Sequence, residues 1–321
     1  MKFSRQQNLC ANFLSVLTLI TFALGCATLP KGQKAEVVED TEFVQLASRG
    51  LLSEVAQRLK NGASANSINK LGVPALYAAS FKGNMQIVNL LLQNGADPNL
   101  QDQQGGSALG AAAMKNRSKV LGALIDFGGD PNIKNNFQQT PLIMAVSLGG
   151  LDAIKTLIDK GADLEVQDEH GWTPLFFSIS RKHMKFTKFL LQRGANPNHQ
   201  DSGGDTPLQI AADSQKAKLV KLLIKQGAKP NLPNTVGDTA LHVAAKYGSI
   251  EVAKALIASG ADVDHKGQYQ RTPLTVAILA KKTEFAKWLV SFGKANPRIP
   301  DHQGIDSIQH ATDLELPVFT K

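Results

Sequence analysis

Leucine and glycine each return at one fixed interval along most of this chain. Leu76, Leu109, Leu142, Leu175, Leu208, Leu241 and Leu274 stand 33 residues apart, as do Gly62, Gly95, Gly128, Gly161, Gly194, Gly227, Gly260 and Gly293. Two residue types with different physical roles, one for burial and one for turning, keep the same beat. At 321 residues the chain is long enough for two ordinary domains, but a repeat must be excluded before domains are counted. Here it is not excluded. Single units of this length cannot bury their own apolar faces, so they must stack and share a core, which makes a solenoid. An apolar fraction of 43% suits such a folded array.

One unit shows the local logic. In Gly171-Trp172-Thr173-Pro174-Leu175 the glycine makes a turn, the Thr173 hydroxyl is placed to cap a helix, and Pro174 takes the first helical position. A short apolar helix follows over 175–180. After a brief loop, Phe186, Phe189, Leu190 and Leu191 recur on a helical period, and Gly194 stops that second helix in a left-handed conformation. Asn196-Pro197-Asn198 then leads into the next extended finger.

This pattern resembles the ankyrin repeat. Its copies read Gln139-Thr140-Pro141-Leu142, Asp205-Thr206-Pro207-Leu208, Asp238-Thr239-Ala240-Leu241-His242 and Arg271-Thr272-Pro273-Leu274, with helix endings such as Leu90-Leu91-Leu92-Gln93-Asn94-Gly95-Ala96-Asp97. The resemblance implies a mainly α solenoid of stacked helix-turn-helix units with β-hairpin-like finger loops. It covers a domain over 40–311, divided into a capping unit at 40–68, seven full repeats at 69–299 and a partial cap at 300–311, with a tail at 312–321. Departures from the family pattern carry expectations of their own. The histidine after the repeat leucine survives only as His242, so its capping bond is expected to be mostly absent. Lys294 inserts one residue in the last full copy and predicts an irregular end. Gly110 and Gly122 fall inside predicted helices, each at a cost of ~1 kcal/mol against alanine, which makes the unit over 103–132 the softest.

The N-terminus reads as an address. Lys2 and Arg5 precede an uncharged, mainly apolar stretch from Phe13 to Leu24, as in an export signal. That stretch is short of the ~20 residues a spanning helix needs. It ends in Ala23-Leu24-Gly25-Cys26, which resembles the lipobox of bacterial lipoproteins. The resemblance implies removal of 1–25, a lipid on Cys26 and a tether over 26–39. Ala27 resembles the signal for outer-membrane sorting, and about twelve extended residues reach at most ~40 Å.

Signals for chemistry are missing. The cysteines are Cys10 and Cys26, so the repeat body holds no thiolate, disulfide or cysteine metal site. Gly105-Gly106-Ser107-Ala108-Leu109 falls short of a nucleophile elbow because leucine occupies the last glycine position. No phosphate cradle or paired-histidine zinc helix occurs, and the histidines are scattered. The expectation is no catalysis, no metal and no cofactor. Net charge is +8, a surplus that favours anionic partners without naming one. With no long basic run, nucleic acid is not expected.

What remains is a binding surface. In ankyrin proteins ligands meet the finger tips and the exposed face of the first helix. Carried over by period, those positions give Phe137, Gln139, Leu148, His170, Trp172 and Arg181, then Tyr247, Tyr269 and Arg271. Aromatic and arginine side chains dominate binding hot spots. Trp172 has a second reading, as cover for the neighbouring finger. Lys155, Lys188, Lys221, Lys254 and Lys287 occupy one polar register of the second helix, either as a solvated flank or as a line of charge toward anionic lipid. The expectation is a monomeric scaffold, lipid-anchored in a bacterial envelope, that binds another protein. Alternatives are an immunity protein that neutralises an exported toxin and an effector acting on host proteins.

Overall fold

A computed structural model of the chain describes residues 37–319. The helices come in pairs: α1 (Thr41–Arg49) and α2 (Leu52–Lys60), α3 (Ala75–Lys82) and α4 (Met85–Gln93), α5 (Ala108–Met114) and α6 (Ser118–Asp126), α7 (Pro141–Leu148) and α8 (Leu151–Asp159). The series continues with α9 (Pro174–Ser180) and α10 (Met184–Gln192), α11 (Pro207–Asp213) and α12 (Ala217–Lys225), α13 (Ala240–Tyr247) and α14 (Ile250–Ile257), α15 (Pro273–Leu279) and α16 (Thr283–Ser291), and it closes with α17 (Ser307–Asp313). No strand forms among the described residues. The fingers make only isolated bridges, such as Gln101 with Ser107.

The first helices of successive pairs pack on one another and form the inner layer, while the second helices form the outer layer. All seven period leucines are buried, and one hydrophobic core runs from Phe43 to Val318. Each buried leucine contributes ~1.5–3 kcal/mol, and it does so only because a neighbouring unit covers it.

Finger joins finger through a ladder with the same period. The Oδ1 of Asn66, Asn99, Asn132, Asn198 and Asn231 each accepts a backbone N–H from the next unit at 2.7–2.8 Å. In four of these the amide also donates to the carbonyl of Gly95, Gly128, Gly227 or Gly260. Glu165 and Asp264 hold the same register, accept the same bond from Asn196 and Asn296, and have no proton to donate when ionised.

Two sequence expectations need correction, and a third gains an exception. The reciprocal cap is mostly absent, as expected, but one unit forms it without the histidine. Gln209 replaces it, accepting from Thr206 N at 2.7 Å and donating to Asp238 O at 2.7 Å, much as His242 accepts from Thr239 N at 3.1 Å. An amide offers the same acceptor-plus-donor pair as a neutral imidazole. Thr173 does not cap α9: its hydroxyl is buried without a hydrogen-bond partner. The end of the array also departs from the drawn boundaries. Helix α17 runs to Asp313, Val318 is buried, and Leu314, Leu316 and Phe319 pack on the core, so the chain through 319 belongs to the fold.

The insertion at Lys294 does make the last full unit irregular. The glycines of the earlier stops, Gly62 to Gly260, all have positive φ, but Gly293 does not, and Lys294 takes φ 61° instead. The extra residue moves the left-handed position one place along the chain.

Candidate functional site

The concave side is bounded by the finger tips and by the exposed face of the inner helices. The tips hold each other through backbone bonds, Ser202 N to His170 O at 3.0 Å, Thr235 N to Gly203 O at 3.1 Å and His302 N to Tyr269 O at 3.0 Å. Contact is so close that a Cβ on Gly204 would lie 2.6 Å from Thr235 N. At these junctions the lip is tied through the backbone, which holds the side chains beside them in place.

A concavity of about 370 Å³ lies between the fingers and α1, α3, α5 and α7. Such a volume falls in the range of ligand clefts. Tyr77, Phe81, Met114, Met144 and Phe137 supply its apolar surface. Tyr77 and Phe81 stack with centroids 6.4 Å apart. The floor exists because Gly110 has no side chain: a Cβ there would sit 2.9 Å from Met144 Sδ. Burial raises the Tyr77 phenol pKa, and the charge of Asp102 adds to it. Burial likewise raises the Asp102 carboxyl, against the lowering effect of the N–H groups of Gly106 and Gln104 that bind its Oδ1.

Of the surface residues expected from sequence, Phe137 lines this groove, half-buried. Gln139 does not reach the surface. It is 7% exposed, with Asn135 Nδ2 3.4 Å from its Oε1. Its backbone carbonyl accepts from Asn135 N at 3.0 Å, which closes the finger. Trp172 is half-buried, donates from Nε1 to Asp201 Oδ2 at 3.0 Å and meets Phe177 edge-on at 5.4 Å. It thus covers the neighbouring finger. His170 is half-exposed, with Nε2 3.7 Å from Glu169. Arg181 is half-buried, and Leu148 is 41% exposed. Tyr247 donates to Asp213 Oδ1 at 2.6 Å, and burial and that bond raise its pKa. Tyr269 is the most open of the set at 54%, 5.1 Å from the His302 ring and 5.0 Å from the Arg271 guanidinium.

These residues form two separate ends. Phe137 belongs to the N-terminal groove, while Tyr269, Arg271 and His302 cluster near the closing unit. There Arg271 Nε lies 3.7 Å, and His310 Nε2 3.0 Å, from the buried carboxylate of Asp301. No ring contact joins Phe137 to Trp172. Sequence reasoning missed Tyr77, Phe81, Met114 and Met144. Their signal was present as large residues facing small ones at Gly110 and Ala78, but it crosses units and is invisible within any one of them.

On the outer flank Lys155, Lys188, Lys221 and Lys254 are exposed and Lys287 is half-buried. Lys254 pairs with Glu251 at 2.8 Å and Lys287 lies 3.7 Å from Glu284, so the C-terminal part of this line is locally balanced. No group of three or more potential metal ligands occurs among the described residues, and no described helix is long and apolar enough to cross a membrane.

Stacked helix pairs, tied fingers and a shared leucine core define a solenoid of repeated units. A family model for ankyrin repeats in three copies matches repeatedly, over 43–135, 75–168, 109–201, 142–234, 188–267 and 208–301. The chain belongs to the ankyrin-repeat family. It is similar to the crystal structure of the human ASB11 ankyrin repeat domain, with a TM-score of 0.60 and 24% identity over 70% of this chain and 99% of that one. That likeness concerns the fold. No curated protein matches the sequence.

Proposed function

We propose that this chain is a lipid-anchored scaffold of a bacterial cell envelope, which docks another protein on its concave face and performs no catalysis. Ankyrin repeats indicate a protein–protein interaction scaffold. The observation that carries the reading further is the apolar groove beside Phe137, set in a wall whose finger tips are fixed by backbone bonds. A wall of this kind binds with little loss of conformational freedom, because its contact groups are ordered beforehand. The anchor rests on the sequence alone. Cys26, with Gly25 before it and Ala27 after it, lies outside the described residues. Between Cys26 and the first described helix the chain has room for a tether, which would hold the array off a membrane surface.

The test has two parts. A photoreactive residue at position 137, activated in cells, is expected to capture one protein reproducibly, and the same residue at exposed Lys155 is expected not to. Lipid labelling is expected for the native chain and lost for Cys26→Ser. Equal labelling of both would remove the anchor, and identical capture at both positions would remove the concave docking site.

A further inference from the structure

The groove carries a charge pattern that the period makes visible. Arg49, Lys82 and Lys115 occupy one register, 33 residues apart, at or just past the C-terminal ends of α1, α3 and α5. Their neighbours in sequence, Ser48, Phe81 and Met114, line the groove, as Lys82 itself does. All three cations are exposed, and no salt bridge joins any of them to another described residue. Lys115 Nζ stands 4.6 Å over the ring of Phe81, so this charge is held at the groove edge. In the next unit Leu148 takes the register and interrupts the row, which Arg181 resumes beyond the groove.

The opposite wall is different. Its tips present Gln103, Gln104 and Phe137, which carry no charge. The acid of the lining, Asp102, lies on that finger side with Oδ1 engaged by two backbone N–H groups. The groove therefore has an apolar floor, an amide wall whose one carboxyl is bound by backbone N–H groups, and a basic wall. Gln103 and Gln104 offer donors and acceptors that match a peptide backbone.

Building on the docking reading above, we infer that this groove takes an extended acidic segment of the partner protein, anchored by one large apolar side chain. The anchor enters between Tyr77, Phe81, Met114 and Met144, where its burial supplies most of the affinity. Flanking carboxylates face Arg49, Lys82 and Lys115, which set orientation and speed of encounter. Three stacked units at ~10 Å spacing match about ten residues of extended chain.

The inference is tested with the purified full chain and fluorescein-labelled peptides of about ten residues, the length set by that span. One carries glutamates on both sides of a central leucine; the others replace the leucine by alanine or the glutamates by lysine or serine. Anisotropy is expected to show binding of the acidic leucine peptide, weakened roughly tenfold by alanine at the anchor and abolished by lysine at the flanks. Lys82→Glu with Lys115→Glu is expected to weaken it by roughly tenfold or more, while Lys155→Glu, the same kind of charge change on α8, leaves it unchanged. Unchanged melting curves check that the variants fold.

Equal binding of acidic and serine peptides, or equal effects of the groove and α8 variants, overturns the charge assignment. Absence of binding by every peptide overturns the inference as a whole. If crosslinking at position 137 still captures a protein, docking on the concave face stands and only the acidic segment is lost. If that capture fails too, both fall.

Discussion

Thr173 and Thr206 hold the same register one unit apart, each followed by proline at the first helical position, yet they should respond oppositely to one substitution. Both are buried, at 1% and 2% exposure. The Thr206 hydroxyl accepts from Gln209 N at 3.2 Å, within a reciprocal cap that also binds Thr206 N. The Thr173 hydroxyl has no partner, and the residue facing it across the cap is Phe176, which has no polar atom to return a bond. Valine keeps the shape and replaces only the hydroxyl by a methyl group. At Thr206 this removes the cap and leaves a buried N–H, at a cost of about 1 kcal/mol within a range of ~0.5–2. At Thr173 it removes a desolvated hydroxyl whose burial costs roughly 1–3 kcal/mol, and the extended N-cap backbone, φ −85° and ψ 166°, suits a β-branched residue. Thr173→Val is therefore expected to stabilise by about 1 kcal/mol, and Thr206→Val to destabilise by about as much. In a domain of this size each corresponds to roughly 2–4 °C in Tm. Urea titration followed by circular dichroism, with Tm as a second readout, measures both. Destabilisation of similar size at both positions would refute the claim that the Thr173 hydroxyl is unpaired.

Further outcomes follow from other single residues. Gly122→Ala on α6 meets nothing within 4 Å and is expected to stabilise by about 1 kcal/mol, raising hydrogen-exchange protection of the unit over 103–132. Lys182 and Gln215 sit at φ 60° and 57° in the turns between paired helices, so glycine at either is expected to gain about 1 kcal/mol by relieving the left-handed conformation, read as a higher urea midpoint. Burial raises the Glu165 pKa, with the Asn196 N–H and His199 opposing it. A carboxyl that binds its proton more tightly when folded weakens the fold as pH rises through its folded pKa. Glu165→Asn is therefore expected to stabilise at neutral pH, with the gain shrinking as pH falls through the carboxylate range, measured by Tm against pH. Its amide would also regain the ladder bond that Asn198 makes to Gly227 O.

The architecture was legible because its determinants repeat. A leucine that must be covered and a glycine that must turn, each at a fixed interval, leave stacking as the one arrangement that satisfies both. What the sequence hid was how each unit satisfies its own departures. Gln209 looks like a lost histidine but supplies the same bonds, because a cap needs an acceptor and a donor rather than a ring. Gln139 is a polar residue in a register that is half-buried in other units, yet it is buried, with Asn135 beside its amide. Trp172 was ambiguous for a physical reason: an indole fills a contact site and shields a finger equally well, and only the bond to Asp201 decides between them.

The groove was hidden at a different level. Its walls come from residues about 33 apart, Phe81 beside Met114 and Gly110 beneath Met144, so no window of local sequence contains it. Core positions are constrained twice, by their own unit and by the next, and they converge on leucine and alanine. Exposed concave positions are constrained less, so differences in size and charge accumulate there at little cost to the stack. The row of Arg49, Lys82 and Lys115 opposite an amide-rich finger wall is such a difference. It is interrupted at Leu148, before Arg181 resumes it, and the groove itself ends at Met144 on the same helix, α7. The break in charge and the end of the cavity coincide because both depend on what the inner helices project. A change of partner therefore requires new residues at these few registers, while the leucines, ladder amides and stop glycines stay as they are.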